Sequence, residues 1–347
     1  MADRGAILRI EELNRHFPVY QGQIRRRAIG TIRALDGVSF DLHADESIGI
    51  VGESGCGKST LAETLMRLGE PTSGAVFYKD ENIFEFDTKQ LRRYRREVQM
   101  VFQDPYSSLN PRMSVRTLVE EPLRVHGVHA TDADLTNMVN DTLELVGLSV
   151  DHAKHYPHQL SGGQRQRVGI ARALVLNPSV LICDEAVSAL DVSVQAQVLN
   201  LLAGLKQELH LAMIFISHDL SVVRQLADRV GVMYLGKLVE MGTEHEIYET
   251  PAHPYTQALL SAVPTPMPGD ESSSRIILEG DVPDPLHLQD GCNFRSRCWK
   301  AQGICAQQEP LLEARPGIAQ VAACHFASPS IEATAPTQGV VSGEGGG

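Results

Sequence analysis

A chain of 347 residues with 43% hydrophobic side chains can hold one large domain or two, with ample material for a core. Thirty-one basic side chains against 43 acidic ones leave a formal charge of −12, which argues against a general nucleic-acid coat. No run of about eighteen apolar residues occurs, and Met1-Ala2-Asp3-Arg4 lacks the basic start of a signal peptide, so work at a membrane is expected to run through partners. The one short basic run, Arg25-Arg26-Arg27, is expected to be a solvated loop face.

The first elements have the alternation of strands. Ile7-Leu8-Arg9-Ile10 alternates, and the pattern returns from Ala34-Leu35 to Val38-Ser39-Phe40-Asp41-Leu42, with a Gly- and Arg-containing loop expected between them. Residues 46–51 form a short buried strand that enters a glycine-rich turn and a helix over 60–68. From about 114 to 160 the texture is helical, with Leu135, Met138, Val139, Leu143 and Val146 at helical spacing. Strand signals resume at Val180-Leu181-Ile182-Cys183 and Met213-Ile214-Phe215-Ile216-Ser217, separated by a helix over 194–209, which predicts a parallel α/β sheet. Residues 230–241, broken by Gly236, predict a closing hairpin, and beyond Pro251 the chain turns to short elements. The last 21 residues carry too few large apolar side chains to order themselves, so a disordered tail is expected over 327–347.

Gly52-Glu53-Ser54-Gly55-Cys56-Gly57-Lys58-Ser59 matches the P-loop pattern in full and sits between a predicted strand and the helix that Thr60 enters. Its glycines let backbone N–H groups turn around phosphates, the helix N-terminus adds partial positive charge, and Lys58 reaches the β and γ oxygens. Ser59 is placed to hold Mg²⁺, and Cys56 is a small filler whose backbone matters. A second element supplies acid: the apolar strand 180–183 ends in Asp184 and Glu185, which puts one carboxylate near the metal and one within reach of an attacking water.

Leu160-Ser161-Gly162-Gly163-Gln164 decides the class, because it resembles the signature of ABC ATPases and stands just before a helix expected from about Arg165. The remaining order is similar to that family over about residues 7–245. Gln103 in Val101-Phe102-Gln103-Asp104-Pro105 resembles the Q-loop, Ser188-Ala189-Leu190-Asp191 the D-loop, and His218 the switch histidine. Phe17 is placed like the aromatic that stacks on adenine, with Tyr20 as its rival. Ala186 stands where the family usually has proline, a change in loop stiffness that removes no catalytic group.

The resemblance implies a P-loop ABC ATPase domain over 1–250: a mixed α/β sheet core, an antiparallel β subdomain, and a helical signature subdomain over about 104–175. It implies two nucleotides sandwiched between two ATPase subunits. In that arrangement Ser161, Gly162, Gly163 and Gln164 serve the partner's ATP, Glu185 polarises water, His218 holds the γ-phosphate geometry, and Gln103 senses the metal. Mg²⁺ would then lie among Ser59, Gln103 and Asp184.

Residues 103–111 and His253-Pro254-Tyr255-Thr256 are similar to segments of the peptide and nickel importer ATPases. An extension over 251–326 carries four cysteines, Cys292, Cys298, Cys305 and Cys324, spaced C-x5-C-x6-C-x18-C with Phe294, Arg297 and Ala301 between them. This resembles the C-terminal iron–sulfur motif of dipeptide and oligopeptide ATPases. Four thiolates suit a [4Fe–4S] cluster or Zn²⁺, and the absence of a C-x2-C pair weakens a zinc ribbon; unmetallated structural cysteines are the third reading. Val187 to Asp191 with Gln195-Ala196-Gln197-Val198 resembles the F-type member of a heterodimer. The implied partners are a second ATPase, two membrane permeases and, indirectly, an extracytoplasmic peptide-binding protein, with no nucleic acid. The implied location is peripheral, on the cytoplasmic face of the membrane. Nickel or another small solute is the alternative cargo, and a non-transport ATPase the alternative class.

Overall fold

The computed structural model describes residues 5–21, 27–104, 108–263, 276–288 and 290–329. Expectations about Met1 to Arg4, Arg25-Arg26, Pro105-Tyr106-Ser107 and the tail beyond 329 fall outside those residues.

Two long strands open the chain, β1 (Ala6–Gln21) and β2 (Arg27–His43), paired antiparallel from Ala6 opposite His43 to Gln21 opposite Arg27. Residues 11–21 and 27–33, expected as loop, are therefore strand. The alternation is hidden there for two reasons. Bulges shift the register between Ile10 and Leu13, where Glu12 adopts φ 44°, and the outer half exposes Phe17, Tyr20 and Ile29. The next elements are β3 (Ser47–Val51), α1 (Lys58–Leu65), β4 (Ser73–Tyr78), β5 (Glu81–Asn82), α2 (Thr88–Glu97) and β6 (Val98–Val101). Strands in the order β2-β1-β4-β5 make an antiparallel sheet.

The helical stretch resolves into α3 (Val115–Val125), α4 (Asp132–Leu145) and α5 (Gly162–Leu174). Ser114 and Thr131 cap the first two, and Leu118, Val119 and Leu123 join Leu135, Val139 and Leu143 in one buried cluster. The rest comprises β7 (Val180–Asp184), α6 (Val192–Leu209), β8 (Ala212–Ser217), α7 (Leu220–Arg224), β9 (Arg229–Tyr234), β10 (Lys237–Thr243), α8 (Glu244–Glu249), α9 (Pro254–Ser261), α10 (Gly303–Gln307), β11 (Glu313–Ala314) and β12 (Val321–Ala322).

The second sheet runs β11-β12-β10-β9-β3-β8-β7-β6. Its five strands β9, β3, β8, β7 and β6 are parallel, while β10 pairs antiparallel with β9, β12 with β10 and β11 with β12. Every residue of β3, β7 and β8 is buried, which is why they read as unbroken apolar runs with no alternation.

The segment after 250 is stitched into this sheet, because β12 pairs with β10 through Glu240 and Met241. The fully buried Glu240 accepts from the N–H of Ala252 at 2.7 Å, from that of His253 at 3.1 Å and from Gln320 Nε2 at 2.9 Å. Phe294 packs with Tyr234 and Tyr255 at ring separations of 5.3 and 5.4 Å. These contacts join the segment to the core of the main sheet, where Phe294 and Tyr255 are buried in one cluster with Tyr234; two-residue strands carry no periodicity by which a sequence could announce them.

Candidate nucleotide site

Adjacent parallel strands β3, β8, β7 and β6 end side by side, and each delivers part of one site from its carboxyl end. β3 runs into the glycine loop at Gly52, β8 into His218, β7 into Asp184 and Glu185, and β6 reaches Gln103 two residues on. Residues more than a hundred positions apart converge for that topological reason.

The loop turns into α1 at Gly57, which has φ 110° and whose Cα lies so close to β2 that a Cβ there would stand 2.1 Å from the Ala34 carbonyl oxygen. Lys58 is buried, and its ammonium donates to the carbonyls of Gly52 at 2.8 Å and Glu53 at 3.0 Å, so the cation is held at the mouth of the loop. Burial pushes the Cys56 thiol up despite neighbouring Lys58, which leaves it a packed, protonated side chain. Ser54, Gly55, Lys58, Ser59 and Thr60 line a cleft that Ile32, Arg33 and Ala34 of β2 close on another side.

The Ser59 hydroxyl donates to Asp184 Oδ1 at 3.3 Å. Burial raises the Asp184 carboxyl, with the Ser59 hydrogen bond opposing and the Glu185 charge adding to it. A hydroxyl beside one carboxylate, both oxygen donors, fits Mg²⁺, which takes few protein ligands and draws the rest from water and phosphate.

Glu185 adopts φ 47°, an uncommon conformation for a side-chain-bearing residue, and its N–H donates to the Ile216 carbonyl at 2.9 Å. That turn brings its carboxylate between two neighbours. Gln103 Nε2 donates to Oε2 at 2.7 Å, and His218 Nδ1 lies 3.3 Å from Oε1. The trio can hold and deprotonate a water beside a phosphate held by the loop.

Gly162 begins α5, three residues before the expected start, because Ser161 caps it: the Gln164 N–H donates to Ser161 Oγ and the Ser161 N–H to Gln164 Oε1 at 2.9 Å. Gly163 packs so tightly on α6 that a Cβ would stand 2.4 Å from Val194 Cγ1. None of these four residues lines the cleft of the same chain. Phe17 is not brought into the cleft wall either; it is exposed, with the Arg15 guanidinium 5.0 Å from its ring, while its strand partner Ile32 forms the wall.

Residues 35–188 match the ABC transporter family, and residues 239–305 match the oligopeptide/dipeptide transporter C-terminal region. The oligopeptide transport ATP-binding protein AppF of Bacillus subtilis is 49% identical over 330 residues, covering 94% of this chain and 99% of that protein. This chain belongs to the oligopeptide/dipeptide ABC transporter ATP-binding proteins. The dipeptide transport ATP-binding protein DppF of Escherichia coli is 46% identical over 92% of this chain and 93% of its own length. Among solved structures, an ATP-binding cassette recorded as a post-hydrolysis dimer with ADP and Pi is 28% identical with a TM-score of 0.60, covering 68% of this chain and 98% of that one. The cbiO1 subunit from Clostridium perfringens, part of the ABC transporter complex cbiONQ, is 30% identical with a TM-score of 0.59, covering 70% and 90%. As a member of this family, the chain is an ATP-hydrolysing motor subunit.

In this family member Cys292, Cys298, Cys305 and Cys324 all line one small pocket, and all are free thiols. Burial pushes Cys298 up to about 12 and Cys324 up to about 11. Among the described residues no group of three or more His, Cys, Asp or Glu side chains is arranged to hold one metal ion.

Sequence reasoning missed how far the C-terminal region reaches into the nucleotide site. Pro285 and Leu288 line the cleft opposite the glycine loop, and the Tyr255 hydroxyl accepts from the Glu53 N–H at 2.9 Å. Arg297 forks onto the Glu53 carboxylate at 2.8 and 2.9 Å. Arg297 and Tyr255 stand out in sequence only as marks of the subfamily; nothing in the spacing says that they touch the loop.

Proposed function

We propose that this chain drives uptake of di- and oligopeptides as one half of an ATPase pair, a heterodimer in which it is the F-type member. The pair would sit on the cytoplasmic face of the membrane against two permeases fed by an extracytoplasmic peptide-binding protein. The observation that carries the motor reading is the Glu185 carboxylate held between Gln103 and His218 beside the Lys58 loop. The cargo rests on the peptide transport named in the relatives and on the C-terminal region match. No helix among the described residues is long and apolar enough to cross a membrane.

In this mechanism the loop N–H groups and Lys58 bind the phosphates, Lys58 exchanging loop carbonyls for β and γ oxygens. Ser59, Asp184 and Gln103 would hold Mg²⁺, whose charge offsets that of the phosphates when bound. Glu185 takes the proton of the attacking water, His218 holds that carboxylate and the γ-phosphate in line, and Gln103 holds the Glu185 carboxylate from its other oxygen. Ser161, Gly162, Gly163 and Gln164 present a capped helix N-terminus to the partner's ATP, which agrees with their distance from the cleft of their own chain. Binding closes the pair and hydrolysis releases it.

For the extension we propose a [4Fe–4S] cluster on Cys292, Cys298, Cys305 and Cys324, with Zn²⁺ as the alternative. What supports the reading is that all four cysteines line one pocket, and four thiolates are the ligand set such a cluster takes. Such a group would pin the loops between the short elements of the region.

Two measurements test these readings. In a strain lacking its own peptide-importer ATPase, expression together with the cognate permeases and partner should restore growth on a peptide; restored nickel uptake alone would reassign the cargo. Anaerobic purification with iron, sulfide and zinc analysis should give about four irons and four sulfides per chain, with the visible band lost in Cys292→Ser. Stoichiometric zinc would replace the cluster by the alternative.

A further inference from the structure

Glu53 is engaged at every polar group it has. Its carbonyl accepts from Lys58 Nζ at 3.0 Å, its N–H donates to the Tyr255 hydroxyl, and its carboxylate receives both Nη atoms of Arg297. The last contact is a two-bond fork with a guanidinium that is only 8% exposed, the geometry in which an arginine–carboxylate pair is strongest and most directional. Arg297 also lies over the Tyr234 ring at 6.0 Å, so its plane is supported from the sheet.

The position of Arg297 is set by the cysteine region. It ends the single turn Arg295–Arg297 in the interval between Cys292 and Cys298, and the N–H of Cys292 is bonded to the Cys305 carbonyl at 2.8 Å. The backbone that aims the guanidinium is thus the backbone that spaces three of the four thiols. On the other side, Pro285 and Leu288 of the same region form part of the cleft wall.

We propose that Arg297 is a positioning residue for the phosphate loop, through which the folded state of the C-terminal cysteine region sets the affinity for ATP. This rests on the loop being the nucleotide site. Glu53 carries one of the two carbonyls that hold Lys58, so a Glu53 freed from Arg297 lets the loop and its ammonium sample arrangements that do not match the β and γ phosphates. The fork touches no reacting atom. Its loss therefore acts on binding more than on chemistry, raising KM and the dissociation constant while leaving kcat at saturating ATP much closer to wild type.

The test is titration of the purified full-length chain with a fluorescent ATP analogue and Mg²⁺, alongside thermal midpoints and KM–kcat measurements with its partner. Arg297→Ala and Glu53→Gln are each expected to weaken binding by about ten-fold, and Arg297→Lys by less, because a lysine keeps the charge and loses the fork. The double variant Glu53→Gln/Arg297→Ala should bind no more weakly than either single one, since both remove the same contact. If Arg297→Ala does not fold, Glu53→Gln and Arg297→Lys alone carry the comparison. Folded variants that bind within about two-fold of wild type, or single effects that multiply in the double variant, would overturn the proposal. So would a lowered thermal midpoint with unchanged affinity, the mark of a purely structural brace. A wild-type chain that binds no ATP analogue would instead sink the nucleotide reading on which the proposal stands.

Discussion

The side-chain amide of Gln103 donates to the Glu185 carboxylate at 2.7 Å, joining the end of β6 to the end of β7 in a single contact. His218 meets the other carboxylate oxygen at 3.3 Å from the end of β8. Gln103→Ala and His218→Ala should each leave ATP binding intact and lower turnover, by about 10-fold or more for the glutamine and about 10²–10³-fold for the histidine. Single-turnover hydrolysis with the assembled pair measures both; equal loss of binding and turnover would mean that these residues shape the pocket rather than the chemistry.

Lys58 is buried at the loop, and its present partners are the Gly52 and Glu53 carbonyls and the Cys56 sulfur, which compete poorly with phosphate. Lys58→Ala should reduce ATP affinity by about 10²-fold, with the fold retained, because charge-assisted bonds to the β and γ oxygens are lost. Calorimetric titration with MgATP gives the number, and wild-type affinity would remove Lys58 from the site.

Gly163 admits no side chain without displacing Val194. A Gly163→Val chain should lose about 1–3 kcal/mol of stability from overpacking between α5 and α6, and the shifted helix start should cripple hydrolysis by the pair. Urea unfolding reports the first effect and ATPase assays with the partner the second. Full activity would show that the signature helix tolerates displacement.

Glu97 supplies a pH dependence remote from the site. Burial raises its carboxyl, but hydrogen bonds from Lys79, Tyr78 and Arg93 outweigh that and hold it down to about 2, against an ordinary 4.5. Its folded value lies below its unfolded one, so its contribution is fully present above pH 4.5 and is lost as pH falls through about 2. Glu97→Gln should be less stable than wild type at pH 7 and should lose less stability over that acid window. Identical acid profiles in urea midpoints would rule Glu97 out.

Much of the site is legible because chemistry and topology coincide there. A complete glycine loop after a buried strand, and an apolar run ending in Asp184 and Glu185, place two parts of the site at strand ends from sequence alone. Gln103, His218 and the signature needed resemblance, since their roles do not follow from spacing. The long β1–β2 hairpin was obscured by bulges and by two-sided exposure near its tip. β11 and β12 are too short for any period, and the Arg297–Glu53 fork spans 244 positions, a contact that no local pattern encodes.

The most direct test of the account is Glu185→Gln in the assembled ATPase pair, measured for both hydrolysis and ATP-dependent association. The substitution keeps the shape and the Gln103 contact while removing the base. Retained ATP binding, stable closed dimers in MgATP by sedimentation, and turnover lowered by about 10²–10⁴-fold are expected. Near-normal turnover, or no ATP-dependent dimer, would contradict the account.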